Sequence, residues 1–473
     1  MDLFQHSDVF KEKLKHTIEV RNPATQEILA YVRKTDENLL QEIIYQASKA
    51  QREWANTLAE DRADRLMRFY DLILEHKNAL AEIMTKEQGK PLNEAQGEIV
   101  YAASFIKWFA EEARHICGDI MESKTQGQKL MTIKQPIGVC AAITPWNFPS
   151  AMITRKIAPA LASGCAIIVK SASLTPLSAY ALELLAREAG IPKEVFVVVN
   201  GDSRAISDVL CKNDKIRKLS FTGSTEVGAQ LYAKCAKSIK KLSMELGGNA
   251  PFIVFNDANL KEAVEGIMAS KFRNSGQTCV CANRIYAQSG IYFELCAELQ
   301  KAMQELKVGN GLEYGVNQGP LINQNSLNKV KEHIADALAK GAKLLSGGKE
   351  HRLGGTYFEP TLICDVESNM LVAKEETFGP LAPIFKFESE EEVIARANDT
   401  EFGLAAYFFT QDYKRQWRVA EALEYGMVGI NTGLISNEVA PFGGVKHSGL
   451  GREGSKYGLE EYMEIKYLCL SLK

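Results

Sequence analysis

Three strings in the chain hold residue types that together could carry acyl chemistry. Cys279 lies in KFRNSGQTCVCANR (271–284), after a polar Gly-Gln-Thr approach and a candidate helix. A reactive thiol needs access and a lowered pKa, and a cysteine taken alone is more often a small buried hydrophobe. Asn147 lies in TPWNFP (144–149), where an expected strand ends and its amide could donate. Glu245 lies in MELGGNAP (244–251), an acid before a Gly pair in an otherwise apolar stretch. Alone it could be a cap or half of an ion pair. A thiol, an amide donor and a carboxylate at strand ends are what thioester chemistry needs: a nucleophile, a stabiliser of developing negative charge and a base.

Other patterns carry less. Gly449-Leu450-Gly451-Arg452-Glu453-Gly454 satisfies G-x-G-x-x-G, but too little chain follows it for the required βαβ unit. FTGSTEVG (221–228) follows a strand-like KLS and opens a helical 225–236, so its backbone N–H groups could face a pyrophosphate. Its spacing is unlike the usual dinucleotide fingerprint, and a simple strand–helix turn explains it equally well. The seven His are dispersed and no paired C-x-x-C is present, so no metal site is expected. Ser346-Gly-Gly-Lys349 matches S-x-x-K at the level of chance.

The elements that must position these residues follow from periodicity. Leu39, Leu40, Ile43, Ile44, Ala47 and Trp54 recur at helical spacing in 38–56, and similar patterns run through 61–87 and 94–114. From 138 the pattern changes. GVCAAIT, CAIIVK, VFVVV and KLSFTG alternate with helix-length segments such as 149–162 and 176–190, and PFIVF (251–255) follows. Continuous β-rich runs separated by helices predict a parallel sheet covered on both faces. A second α/β region is expected from about 256 to 440, with a helix over 326–341.

Of the 473 residues, 46% are apolar and 24% charged, an ordinary globular composition. The formal charge of −3 argues against a nucleic-acid partner. The opening MDLFQHSDVFKEKLKH has no signal-peptide core, and no apolar run approaches the roughly 20 residues of a membrane span. With ten scattered cysteines, this predicts a cytoplasmic protein with mostly free thiols.

Taken together, TPWNFP, FTGSTEVG, ELGGNAP, GQTC, EETFGP (375–380) and PFGGVKHSGLGRE (441–453) resemble the aldehyde dehydrogenase superfamily, from about Arg21 to Lys466. FRNSGQTCVCANR and GLISNEVAPFGG are most similar to its bacterial NADP-dependent succinate-semialdehyde branch. The resemblance implies an α/β fold with an open-sheet cofactor domain (1–114 and 138–247), an α/β catalytic domain (248–440) and a small β oligomerisation arm (115–137 and 460–473). It implies oxidation of succinate semialdehyde to succinate with NADP, NAD serving less well, in a homotetramer or homodimer. Glutarate semialdehyde is one carbon longer and stays open as the substrate. So does a cofactor-independent cysteine acyl-hydrolase.

By that resemblance Cys279 is the nucleophile, Asn147 the side-chain half of the oxyanion hole and Glu245 the general base. Trp146, Lys170, Gly223, Ser224, Glu376 and Phe378 fall on cofactor-lining positions, Lys170 reaching the ribose and phosphate. Ser173 stands where NAD-preferring relatives often carry Glu. A carboxylate there would repel a 2′-phosphate, so Ser173 predicts NADP preference. Ser171 stands where close relatives often have Pro. Arg155, Arg273 and Ser436 match positions that grip the distal carboxylate, for which a guanidinium fork is suited. Cys281, two residues past Cys279, is a redox-switch candidate. In an extended segment the two Cβ atoms would share a side, and a Cys279–Cys281 disulfide would silence the enzyme, as in some similar enzymes.

Overall fold

The computed structural model describes residues 8–472. Met1–Ser7 and Lys473, the ends of the expected first domain and of the arm, lie outside the described residues.

A six-stranded sheet runs in the order Gly449–Leu450, Lys241–Glu245, Ile216–Thr222, Val139–Ile143, Ala166–Lys170, Phe196–Val199. Its strands are parallel except for the two-residue edge Gly449–Leu450. The strands Val139–Ile143 and Ala166–Lys170 are almost wholly buried, as strands covered by helices on both faces must be. The covering helices include Glu37–Ala55, Ala151–Ser163 and Pro176–Glu188, and their apolar residues join one core with the sheet. The expected helix over 61–87 is two, Ala59–Glu75 and Lys77–Gln88, broken at His76. No Gly or Pro marks that break, so the apolar period reads straight through it.

PFIVF does not extend this sheet. It forms Ala250–Val254 in a second sheet of seven strands. The order there is Lys343–Ser346, Thr361–Cys364, Leu381–Phe387, Ala282–Gln288, Ala250–Val254, Ala405–Phe409, Met427–Ile430. Only Lys343–Ser346 is antiparallel. Two apolar clusters, around Phe252 and Phe408 respectively, pack against this sheet.

Two small sheets complete the fold. Val9–Phe10, Ile28–Arg33 and Thr17–Arg21 form one. Ile120–Met121, Gln128–Pro136 and Met463–Ser471 form the other, with nine residue pairs in antiparallel register between the long strands.

The first sheet sets up the site. Its registers align Ile143 with Lys170 and with Phe221, and Thr222 with Glu245. Asn147, Lys170, Gly223 and Glu245 therefore all emerge at the carboxyl ends of parallel strands, where open α/β sheets bind ligands. Ala250 and Ala282 open strands of the second sheet, so Cys279 arrives from the opposite side of the same cleft.

Candidate active site

The segment before Cys279 is held in an unusual backbone. Asn274, Ser275 and Gly276 take φ of 51°, 55° and 75°, three successive left-handed residues. A Cβ on Gly276 would lie 2.2 Å from the Gly379 carbonyl oxygen, so only glycine fits. Left-handed Asn and Ser cost energy unless neighbours hold them. Here the Asn274 backbone N–H donates to Glu94 Oε2 at 2.7 Å, and its Nδ2 donates to the Asn147 and Gln277 carbonyls at 3.0 and 3.1 Å. Ser275 Oγ donates to the Gly319 carbonyl at 2.9 Å, and Gln277 Oε1 accepts from Ile322 N–H at 2.9 Å. Cys279 is thereby placed at a fixed point in the cleft.

Cys279 lines a cavity of about 210 Å³ together with Trp146, Asn147, Gly223, Ser224, Glu376 and Phe378. Seven of the expected site residues thus meet in one space. Asn147 Nδ2 donates one proton to the Gln277 carbonyl at 3.0 Å. An amide nitrogen carries two, so the second remains for a ligand oxygen. Burial pushes the Cys279 thiol up to about 12, with Arg155 and Arg273 pulling the other way and Glu376 and Glu245 adding to the rise. The thiol is therefore neutral at rest and needs an acceptor for its proton.

Glu245 ends the strand Lys241–Glu245 beside that cavity, and both its carboxyl oxygens are buried without a hydrogen-bond partner. Burial, reinforced by Glu453, raises its pKa well above the ordinary range, against the pull of Arg155, Lys156 and Arg452. A raised carboxyl is a stronger base than an exposed one.

Arg155 departs from expectation. It lines neither this cavity nor the next, and its guanidinium is not an open fork. Its side chain is 1% exposed, with Nη2 2.7 Å from Glu453 Oε2 and the guanidinium 3.9 Å above the Phe442 ring. The Arg155–Glu453 contact is an ion pair without hydrogen-bond alignment, since Nη2 and Oε2 both lack an aligned partner. Lys156 is bonded to the other Glu453 oxygen and to Ser220 Oγ at 3.0 Å. Burial opposes the charge on Glu453, but Lys156 and Arg155 outweigh it and hold the carboxyl below the ordinary range. Sequence reading missed Glu453 and Lys156. The available signal was Arg155-Lys156 inside AMITRKIAPALAS, a helix otherwise without charge; two such cations require a partner.

Arg273 and Ser436 do meet. They line a second cavity of about 300 Å³ with Lys90, Glu94, Gly97, Glu98, Tyr101 and Phe148. Asn147 in the first cavity and Phe148 in the second are adjacent in sequence. Arg273 stacks 5.2 Å from the Phe148 ring, and its Nε has no hydrogen-bond partner. Lys90 pairs with Glu98 at 2.5 Å and donates to the Asn147 carbonyl at 2.8 Å.

The remaining expected residues suit a dinucleotide. Lys170 is 3% exposed, and no carboxylate pairs with it among the described residues. Its ammonium donates to the Ser171 carbonyl at 2.8 Å and Ser173 Oγ at 3.3 Å, and burial lowers it to about 8. A buried cation whose charge is offset only by Asp202, beyond ion-pair distance, could hold an anion brought by a ligand. Ser173 Oγ donates in turn to Asn200 Oδ1 at 3.0 Å. Ser224 caps the helix Thr225–Ala236, leaving that helix end facing the first cavity. Glu376 Oε1 accepts from Gly248 N–H at 3.3 Å, and burial raises its pKa to about 7. Phe378 meets Trp146 edge-on at 5.6 Å.

Cys281 is arranged differently from the extended-segment expectation. Cys281 N–H donates to the Thr278 carbonyl at 3.1 Å, so 278–281 is a turn and the same-side argument does not apply. Its sulfur is fully buried and accepts a hydrogen bond from Lys271 Nζ at 3.3 Å. The literal G-x-G-x-x-G is no nucleotide loop. Gly449 is an edge-strand residue whose Cβ would lie 1.9 Å from the Met244 carbonyl oxygen. Among the described residues no cluster of His, Cys, Asp and Glu is placed to hold a metal ion, and no helix is long and apolar enough to cross a membrane.

Residues 10–468 match the model of the aldehyde dehydrogenase family. The chain belongs to that family. It is 61% identical to a glutarate-semialdehyde dehydrogenase of Pseudomonas aeruginosa, over 96% of this chain and 94% of that one. It is 59% identical to the NADP(+) succinate-semialdehyde dehydrogenase of Escherichia coli, with the same coverage. A solved aldehyde dehydrogenase from Brucella melitensis biovar abortus superposes with a TM-score of 0.96 at 60% identity, covering 97% of this chain and 94% of that one. This member of the family is thus an aldehyde-oxidising enzyme.

Proposed function

We propose that the chain oxidises succinate semialdehyde to succinate with NADP. The observation that carries the substrate is the second cavity. Its open cation, Arg273, and the hydroxyl of Ser436 stand next to the Cys279 cavity, as a short aldehyde with a distal carboxylate requires. The Escherichia coli relative, named for that substrate and for NADP(+), supports the same reading. The Pseudomonas aeruginosa relative makes glutarate semialdehyde the alternative, and identities of 61% and 59% favour neither.

In this mechanism Cys279 gives up its proton to Glu245 and its sulfur attacks the aldehyde carbonyl. The Asn147 amide and the Cys279 backbone N–H steady the resulting oxyanion, a donor of this kind contributing about 3–4 kcal/mol. Bound NADP supplies the hydride acceptor, and a thioester remains on Cys279. Lys170 and Ser173 would hold the adenosine side of the dinucleotide, and Trp146, Gly223, Ser224, Glu376 and Phe378 its reacting side. Glu245 releases that first proton to solvent, then takes a proton from the water that hydrolyses the thioester and returns it to the departing Cys279 sulfur. Arg155, paired with Glu453, contributes positive potential near both Cys279 and Glu245 instead of a direct grip on substrate.

On the same reading, 1–114 and 138–247 hold the cofactor and 248–440 carries Cys279. Segments 115–137 and 460–473 join copies into a dimer or tetramer in the cytoplasm. Ile120 and Ile465, 81% and 71% exposed on edge strands of the small sheet, support that joining role.

The test is steady-state kinetics of NADPH formation with succinate semialdehyde, glutarate semialdehyde and propanal. The kcat/KM for succinate semialdehyde is expected to be highest, and a preference for propanal would overturn the substrate assignment. Arg273→Ala is expected to lower the succinate semialdehyde to propanal ratio by about 30-fold or more, because a lost charge-assisted bond costs about 2 kcal/mol or more. An unchanged ratio removes Arg273 from substrate recognition. Ser173→Glu is expected to lower kcat/KM with NADP about 100-fold relative to NAD, through repulsion of the 2′-phosphate and capture of Lys170. An unaltered NADP to NAD ratio would sink the coenzyme assignment.

A further inference from the structure

The second cavity holds a donor that neither the fold nor the mechanism above uses. Glu94, Gly97, Glu98 and Tyr101 line it from the helix Leu92–Glu112. Their i, i+3, i+4, i+7 spacing puts all four on one face of that helix. A Cβ on Gly97 would meet nothing within 4 Å, so the helix leaves open space there. The Tyr101 ring is fixed edge-on against Phe105, centroids 4.9 Å apart. Its hydroxyl is sealed from bulk solvent and makes no aligned hydrogen bond, although Ser436 lies beside it.

The other polar groups of this cavity are largely committed. Lys90 is taken by Glu98 and by the Asn147 carbonyl. The second Glu98 oxygen accepts from the Ser150 and Ala151 N–H groups at 3.0 and 3.2 Å. Glu94 accepts from the Asn274 N–H. What remains open is the Tyr101 hydroxyl and Arg273 Nε, both buried and without partner, in the cavity that Ser436 also lines. Buried donors left unpaired are costly, and they persist where a ligand completes them.

We propose that the Tyr101 hydroxyl donates to the distal carboxylate of the substrate, making Tyr101 a specificity-determining residue of this enzyme. This rests on the reading of a carboxylated semialdehyde as substrate. Burial keeps the phenol protonated, in the field of Arg155 and Arg273. A neutral donor beside the Arg273 cation fixes the direction of a carboxylate as well as its charge.

Tyr101→Phe tests this, because it keeps the ring packed on Phe105 and removes only the hydroxyl. The ratio of kcat/KM for succinate semialdehyde over propanal is expected to fall about 10- to 100-fold, the usual effect of a lost hydrogen bond to a charged group. The inhibition constant of succinate, a dicarboxylate that does not react, is expected to rise in parallel. Equal loss on both aldehydes would make Tyr101 a packing residue and overturn the proposal. So would an unchanged ratio in Tyr101→Phe beside a lowered one in Arg273→Ala, which leaves the substrate reading standing. A wild-type enzyme without preference for the carboxylated aldehyde fails at the earlier step, and the proposal falls with it.

Discussion

Cys279→Ala is expected to lower NADPH formation by four to six orders of magnitude, as loss of a covalent nucleophile does elsewhere. Binding of NADPH, read by its fluorescence, is expected to persist. Hydrolysis of an activated ester should vanish together with the dehydrogenase activity, since both start at the same sulfur. The reason lies in placement. Cys279 lines the 210 Å³ cavity with Asn147, whereas Cys281 is fully buried against Lys271. Cys281→Ala is therefore expected to stay within about threefold of wild type. Residual Cys279→Ala turnover within tenfold of wild type would remove the thioester mechanism. A large loss in Cys281→Ala with an active Cys279→Ala would move the nucleophile.

Glu245→Gln is expected to slow both the first turnover and the hydrolysis, the hydrolysis more, because water holds its proton more tightly than the thiol, and so to leave a slowed burst. One equivalent of NADPH per site forms as the thioester accumulates, and the steady rate then falls about 10²- to 10⁴-fold for want of a base. Stopped-flow absorbance separates the two phases. The pH dependence carries the sign of the role. Only the ionised carboxylate accepts a proton, and burial with Glu453 raises its pKa. Wild-type turnover is therefore expected to be lost as pH falls through that raised pKa and to recover as pH rises, whereas the Gln variant should lack this limb. Equal slowing of both phases without a burst would place Glu245 in the first step alone. An unchanged rate would remove it from the chemistry.

Much of the active site could be read in one dimension because its parts are local strings. GQTC, TPWNFP and ELGGNAP each hold one chemical group at a strand end, and the strand and helix periods around them depend on near neighbours. Val139–Ile143, Ala166–Lys170 and Phe196–Val199 lie within the runs expected for them. The same local logic fails where a period continues across a break, as at His76, or where an apolar run could join either of two sheets, as at Ala250–Val254.

What no string contains is the set of partners each charged group meets. Arg155 looked like an open fork until folding set Glu453 beside it from nearly three hundred residues away. That meeting depends on the antiparallel edge Gly449–Leu450, a two-residue strand that periodicity does not reveal. Tyr101 lies inside the expected helical stretch 94–114 with nothing in its neighbours to single it out, and only the fold sets its unpaired hydroxyl in one cavity with Arg273 and Ser436. The reactivity of Cys279 and Glu245 is tertiary in the same sense. Residue type supplies the thiol and the carboxyl, but their pKa values follow from the water excluded and the charges assembled around them, and both depend on contacts between distant parts of the chain.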